Sequence, residues 1–369
     1  MSYFDEFQNA DIARGIIRRI QQEVTRRWTI MEVCGGQTHS IVRAGIDQLL
    51  HSEVELVHGP GCPVCVTPAE YLDTAIALAL ESNAIVCTFG DMLRVPGTIG
   101  SLAEARARGG DIRIVYSPID ALRIAGSESD REVVFLAVGF ETTAPAVALA
   151  VLQAHELELC NFSILISHVL VPPAMRTILG AADNRVQGFL AAGHVCTIMG
   201  YRQYMPIAER YRVPIVITGF ETVDVLNGIL ACVRMLESDV WGVENEYARV
   251  VQEAGNQAAQ EMIARVFQTV DRNWRGIATI AESGLALQSA YEHFDARLKF
   301  TKPEQPSLNN AADSICISGE ILRGIKKPTA CPAFGNQCNP DRPLGAPMVS
   351  SEGACAAYFR YHRGATHVG

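Results

Sequence analysis

Seven of the eleven cysteines in this 369-residue chain fall into three groupings that could do chemistry. The first is Cys34-Gly35-Gly36-Gln37-Thr38-His39. It falls where a strand ends and a helix begins, the rim at which open α/β sheets bind ligands. Its glycines let the backbone turn and approach a ligand closely. A thiol at a helix N-terminus meets unpaired N–H groups, which is expected to favour the thiolate. The competing reading is a phosphate-binding glycine turn with an incidental cysteine.

The second grouping, Gly59-Pro60-Gly61-Cys62-Pro63-Val64-Cys65, holds a C-x-x-C pair ahead of a helix start. Thr67 and Glu70 have capping-box spacing, with Pro68 at the first helical position. A dithiol in that setting is expected to be redox-active. Half of a structural zinc site is the alternative, but no second C-x-x-C exists and His362 and His367 lie far along the chain. The third grouping is Cys316, Cys331, Cys338 and Cys355, spaced C-x14-C-x6-C-x16-C. Four thiolates suit a [4Fe–4S] cluster or an all-cysteine zinc site, and this spacing leaves the metal open.

Cys87, Cys160, Cys196 and Cys232 sit in or beside apolar stretches and read as small core residues. Of the histidines, His39 is singled out as a support for the Cys34 site. His58, although beside the C-x-x-C loop, and His168 and His194, at strand edges, read as structural. Glu141 and Glu221 follow strand ends and read as solvated loop carboxylates.

The elements that must position these groups are short β-branched runs ending in turns: Thr29–Val33, Val54–Val57, Ala84–Phe89 and Ile112–Tyr116, then Val133–Val138, Phe162–Ile166, His194–Met199 and Pro214–Thr218. Helix-period stretches such as Ile41–Leu50 lie between them. This is βαβα grammar, so the expected fold is α/β: two Rossmann-like units with parallel sheets, plus a C-terminal helical, loop-rich region. The expected divisions are 1–125 with the first two thiol motifs, 126–235 with Gly139-Phe140-Glu141-Thr142-Thr143-Ala144-Pro145, and 236–369 with the four late cysteines. Glu244–Val270 reads as one long helix. Seven prolines between Pro303 and Pro347 mark a segment with little core, where a metal staple is expected.

Composition narrows the function. Apolar residues make up 49% and charged residues 19%, enough material for two or three packed domains. The longest apolar runs, such as Thr74–Leu80 and Ala144–Leu152, are too short to span a bilayer. Met1–Asn9 carries Asp5 and Glu6 and reads as no signal peptide, so a cytoplasmic protein is expected. In that compartment cysteines serve as metal ligands or redox thiols more often than as disulfide frameworks. A formal charge of −9 argues against a nucleic-acid partner. No G-x-x-x-x-G-K-[ST] or G-x-G-x-x-G supports a nucleotide enzyme.

Taken together in order and spacing, Cys34–His39, Gly59–Cys65, Gly139–Pro145 and the four late cysteines resemble the HypD family of [NiFe]-hydrogenase maturation factors, nearly end to end. The resemblance implies a [4Fe–4S] cluster on Cys316, Cys331, Cys338 and Cys355. It implies that Cys34 ligates a mononuclear iron, the nascent Fe(CN)2CO unit, shared with a small HypC-type chaperone. It also implies that Cys62 and Cys65 cycle between dithiol and disulfide, and that cyanide arrives from a HypE-type donor. Such a protein is a redox-active assembly scaffold rather than a stand-alone enzyme. The rival from another class is an Fe–S-dependent thiol–disulfide oxidoreductase, in which Cys34 needs no metal.

Overall fold

The computed structural model describes residues 9–82, 84–300 and 315–362. The N-terminal stretch examined for an export signal lies outside them save for Asn9, as do Pro303, Pro306 and His367. The fold is mixed α/β with two parallel sheets. The first sheet has order β2-β1-β7-β8-β9, from Val54–His58, Trp28–Glu32, Gly188–Ala192, Pro214–Thr218 and Gly242–Asn245. The second has order β4-β3-β5-β6, from Ile112–Ile114, Ile85–Thr88, Val133–Gly139 and Phe162–His168. β5, β6, β7 and β8 are buried along their whole length, as expected of parallel strands covered on both faces.

Strand pairing cuts across the expected division at residue 125. β1 pairs with β7, Ile30 opposite Gly188, and not with any strand of the second sheet. The chain lays down β1 and β2, builds the whole second sheet, and returns to finish the first. The sequence shows that strands exist and does not show which neighbour each one chooses.

Several helices matter for the site: α1 (Ala10–Glu23), α2 (Gly35–Arg43), α3 (Pro63–Val66), α4 (Ala69–Glu81), α5 (Ala144–Glu156), α6 (Gly193–Met199) and α7 (Thr222–Glu237). α1 and α7 pack together on one face of the first sheet, where Ile16 and Ile20 join Ile30, Leu190, Val216 and Leu226 in one core. The helix read over Ile41–Leu50 is broken: α2 ends at Arg43, and Gly45 takes a left-handed φ of 66°. His194–Met199, read as a strand, is α6, and the strand lies just before it. The capping box at Thr67 does not form. The Thr67 hydroxyl donates instead to the Pro63 carbonyl at 2.9 Å.

The long helix expected over Glu244–Val270 is also absent. Glu244 and Asn245 end β9, Gly255 turns at φ 67° against the backbone of Gly200, and Asn256 caps a shorter helix α8 (Gln257–Val266). The chain then runs into an antiparallel hairpin, β10 (Phe267–Trp274) and β11 (Ala278–Leu287). α8 packs on α5 and the hairpin on β6, so residues 242–287 belong to the α/β body. The expected third unit, 236–369, is therefore loop-rich only in its last part, which also packs on the α/β body. Described residues 315–362 hold short helical pieces that end in α9 (Ala354–Tyr361).

Candidate functional site

Four adjacent strands end on one rim. Cys34 follows β1, the Gly59–Cys65 loop follows β2, Gly193-His194 follows β7 and Phe220 follows β8. Strand order reverses between β1 and β7, so Cys34 and His194 stand on either side of the switch-point crevice where open α/β sheets take ligands.

Each residue of the Cys34 motif has a structural reason. Cys34 caps α2 and is buried. Gly35 lies against Glu352, whose Cβ and carbonyl a side chain here would overlap. Gly36 leaves room for Phe220, 3.1 Å from where its Cβ would stand. The Gln37 side-chain amide donates to the carbonyls of Ala191 and Thr218 at 3.1 and 3.3 Å, tying α2 to β7 and β8. The Thr38 hydroxyl donates to Glu32. His39 Nε2 is hydrogen-bonded to the Tyr361 hydroxyl at 2.9 Å.

The imidazole beside the thiol is that of His194, with Nδ1 3.7 Å from Cys34 Sγ. His194 rests on Phe220, ring centroids 5.1 Å apart. Burial pushes its pKa down to about 4, so the ring is neutral and can accept from the thiol. Sequence reasoning missed this residue because it assigned His194 to a strand. The signal present was a strand followed by Gly193-His194, a β-to-helix turn like the one at Cys34-Gly35.

The expectation of an acidic Cys34 is overturned. Burial pushes the thiol up to about 12, the carboxylates of Glu32 and Glu352 push the same way, and N–H groups of Gln37 and Gly36 only partly offset them. Desolvation outweighs the end of the helix. The resting group is a neutral, protected thiol, and a thiophilic metal would have to displace its proton.

Cys62 and Cys65 are joined as a disulfide, with Cα atoms 5.2 Å apart. Cys62 caps α3, accepting from the Cys65 N–H at 3.2 Å. Their loop touches the Cys34 loop through the backbone: Gly35 N–H donates to the Gly61 carbonyl at 2.9 Å, and a Cβ on Gly61 would overlap the Cys34 backbone. On its other side α3 packs against Ala346–Met348. Pro347 and Met348 line the pocket into which Cys316, Cys331, Cys338 and Cys355 converge.

That pocket is otherwise apolar, walled by Ile317, Ile321 and Phe334. Cys338 Sγ accepts from the Leu344 N–H at 3.3 Å. Cys316 Sγ lies 2.6 Å from where a Cβ on Gly345 would stand, so only glycine fits there. Burial raises the Cys338 and Cys355 thiols, and the neighbouring cysteines raise both further. Among the described residues no three His, Cys, Asp or Glu are disposed to hold a single metal ion. Four soft donors lining one largely apolar pocket, with an N–H bonded to one sulfur, are a donor set that fits an iron–sulfur cluster.

Glu141 is a further correction. It is buried, not solvated. One oxygen accepts from the Val171 N–H at 2.9 Å, the other has no partner among the described residues, and burial lifts the carboxyl to about 7. Glu221 begins α7, partly exposed as expected. The apolar placement of Cys87, Cys196 and Cys232 holds, though Cys196 is on a helix, and Cys160 is exposed.

The fold and these sites define a parallel α/β protein with thiol groups gathered at a switch-point crevice. Residues 11–362 match the family model HypD, described as "Hydrogenase formation hypA family". The chain is 46% identical to hydrogenase maturation factor HypD2 of Bradyrhizobium diazoefficiens, over 100% of this chain and 98% of the relative. It is 46% identical to hydrogenase maturation factor HypD of Azotobacter vinelandii, over 98% and 97%. With HypD of Escherichia coli the identity is 43%, over 98% and 99%. The chain belongs to the HypD family of hydrogenase maturation factors. Among the described residues no helix is long and apolar enough to cross a membrane.

Proposed function

We propose that this chain is the scaffold on which the Fe(CN)2CO unit of a [NiFe]-hydrogenase is assembled, with Cys34 as its ligand to that iron. One observation carries the reading: Cys34 stands at the switch-point crevice, in backbone contact with the Cys62–Cys65 loop, whose helix packs on the wall of the four-cysteine pocket. The iron unit is cargo, presented with a HypC-type chaperone, whose thiolate shares the metal. Cyanide comes from a HypE-type donor.

This chain's residues have distinct tasks. Cys34 offers a soft thiolate suited to low-spin iron, and the neutral His194 Nδ1 is placed to accept a hydrogen bond from the thiol before the metal binds. Phe220 and Gly36 shape an apolar wall beside it. Splitting the S–C bond of a thiocyanate into thiolate and cyanide takes two electrons. Oxidation of the Cys62 and Cys65 thiols to their disulfide releases two electrons and two protons, so the pair balances that step. Cys316, Cys331, Cys338 and Cys355 would hold a [4Fe–4S] cluster, which supplies low-potential single electrons when bound. The buried, unoxidised Cys34, Cys87, Cys196 and Cys232 fit a reducing compartment, and we place the protein in the cytoplasm.

Infrared spectroscopy on protein purified anaerobically with its small partner tests the reading. CN and CO stretches are expected in the native protein and absent in Cys34→Ala, with cluster iron retained. Bands at full strength in Cys34→Ala would place the iron elsewhere and leave a thiol–disulfide oxidoreductase as the better account.

A further inference from the structure

The Cys34 loop is held from behind by a chain of buried polar groups. Glu32, fully buried at the end of β1, accepts the Cys34 N–H at 2.9 Å, the Thr38 hydroxyl, and His58 Nδ1 at 2.6 Å. His58 Nε2 lies 3.0 Å from the Tyr358 hydroxyl, which donates to Asp47 at 3.1 Å. The chain reaches the surface at His362, whose Nε2 is 3.2 Å from the same Asp47 oxygen. Burying this many polar groups is tolerable only when each has its partner, and removing one member strands the next.

Tyr358 sits on α9, three residues after Cys355, so one short helix carries a lining residue of the four-cysteine pocket and the far anchor of the Cys34 loop. Other α9 contacts run the same way. Ala357 and Tyr358 pack on Val42 of α2, Tyr361 bonds His39, and Glu352, just before the helix, covers Gly35. An eight-residue helix has little stability of its own. The small core beneath it, Ile321, Ala333, Met348 and Ala354, is completed by Cys338 and Cys355 themselves.

We infer that α9 couples the two thiol sites: a filled four-cysteine site docks α9, and Tyr358, as a positioning residue, then holds the Cys34 loop in its closed, protected geometry. Cargo iron is thus received on an ordered loop only after the cluster site is complete. The inference rests on the cluster reading given above. Coupling of this kind is reciprocal, so iron on Cys34 tightens binding at the four-cysteine site by the same factor.

The test uses full-length protein expressed without the other maturation factors, so that Cys34 carries no cargo. It is kept anaerobic and labelled with iodoacetamide, and each cysteine-containing peptide is followed by mass spectrometry. In cluster-loaded wild type Cys34 should label slowly. Stripping the cluster with a chelator should accelerate Cys34 while Cys232, buried on α7, keeps its rate. Tyr358→Phe, with its iron content intact, should accelerate Cys34 about tenfold, as expected when a docked segment loses a buried hydrogen bond. The stripped wild type gives the same readout without any substitution, should the variant fold poorly. An unchanged Cys34 rate on stripping, or equal acceleration of Cys232, overturns the coupling. Protein purified without cluster iron refutes the cluster reading instead, and iron-replete protein whose Cys34 ignores stripping refutes the coupling alone.

Discussion

The sheet rim and the four-cysteine pocket hold their sulfurs by opposite means. At the rim the backbone is fixed first: β1 lies between β2 and β7, and Cys34 is carried at its end with Gln37, Thr38 and Glu32 pinning the turn. In described residues 315–362 only short helical pieces connect the four cysteines, and two of those cysteines are part of the local core. At the rim the fold positions the thiols. In the pocket, on the cluster reading proposed above, the thiols would position the fold once ligated. A metal site can be a receptor in the first case and a structural requirement in the second.

The sharpest way to break this contrast is to remove one sulfur from each region. Cys355→Ala should lose bound iron and leave residues 315–362 open to limited proteolysis, while circular dichroism of the two sheets persists. Structural metal sites contribute on the order of 10 kcal/mol to the folding of the segments they staple. Cys34→Ala should leave the proteolysis pattern of that segment unchanged. Equal loss of protection in the two variants would mean that the rim, too, depends on its ligand.

Two glycines offer a smaller and more local comparison. Gly61→Ala would drive a Cβ into the Cys34 backbone and should cost about 1–3 kcal/mol of overpacking, read as a lowered denaturation midpoint. Gly335, in the cysteine-rich segment, has a φ of 76° and open space around it. Its replacement by Ala should cost about 1 kcal/mol from backbone strain alone. If Gly335→Ala proves the more damaging, the pocket segment is as tightly packed as the rim.

A pH-dependent comparison sets two buried carboxylates of the α/β body side by side. Glu32 has three donors, whereas one oxygen of Glu141 has none among the described residues. With its carboxyl lifted from the ordinary 4.5 to about 7, folded Glu141 holds its proton more tightly than the unfolded chain does. That contribution to stability is full below pH 4.5 and is lost as pH rises through 7. Glu141→Gln should therefore gain on the wild type by about 2–3 kcal/mol between pH 5 and pH 8, measured by urea unfolding at both. A constant difference across that range would show that Glu141 finds a partner or water when charged.

The rim was legible in sequence because strand-end thiols announce themselves through period and glycine. β8, Pro214–Thr218, has the bounds that its β-branched run suggests, and Cys34 and Cys62 follow the ends of β1 and β2 in the same sheet. What sequence hid were directions and distant pairings. Nothing local says that His39 turns toward Tyr361, or that His194, 160 residues away, turns toward Cys34. The helix read over Glu244–Val270 failed because residue-by-residue propensity does not register the close backbone contact of Gly255 with Gly200. The four cysteines were legible as a set, while the pocket that gathers them depends on apolar residues of no distinctive pattern.

The interleaving of the two sheets has a consequence for the newborn chain. β1 emerges from the ribosome early with only β2 beside it, and its other edge stays unpaired until β7 has been made. The second sheet is complete in the interval and can fold as a unit, whereas the first must wait for contacts of long sequence separation, the slow kind to form. Cys34 therefore leaves the ribosome long before His194, Phe220 or Tyr358 can enclose it. During that interval it is an ordinary accessible thiol, so the vulnerable moment for this site is biosynthesis, when stray metal or oxidant meets a cysteine the finished protein keeps buried.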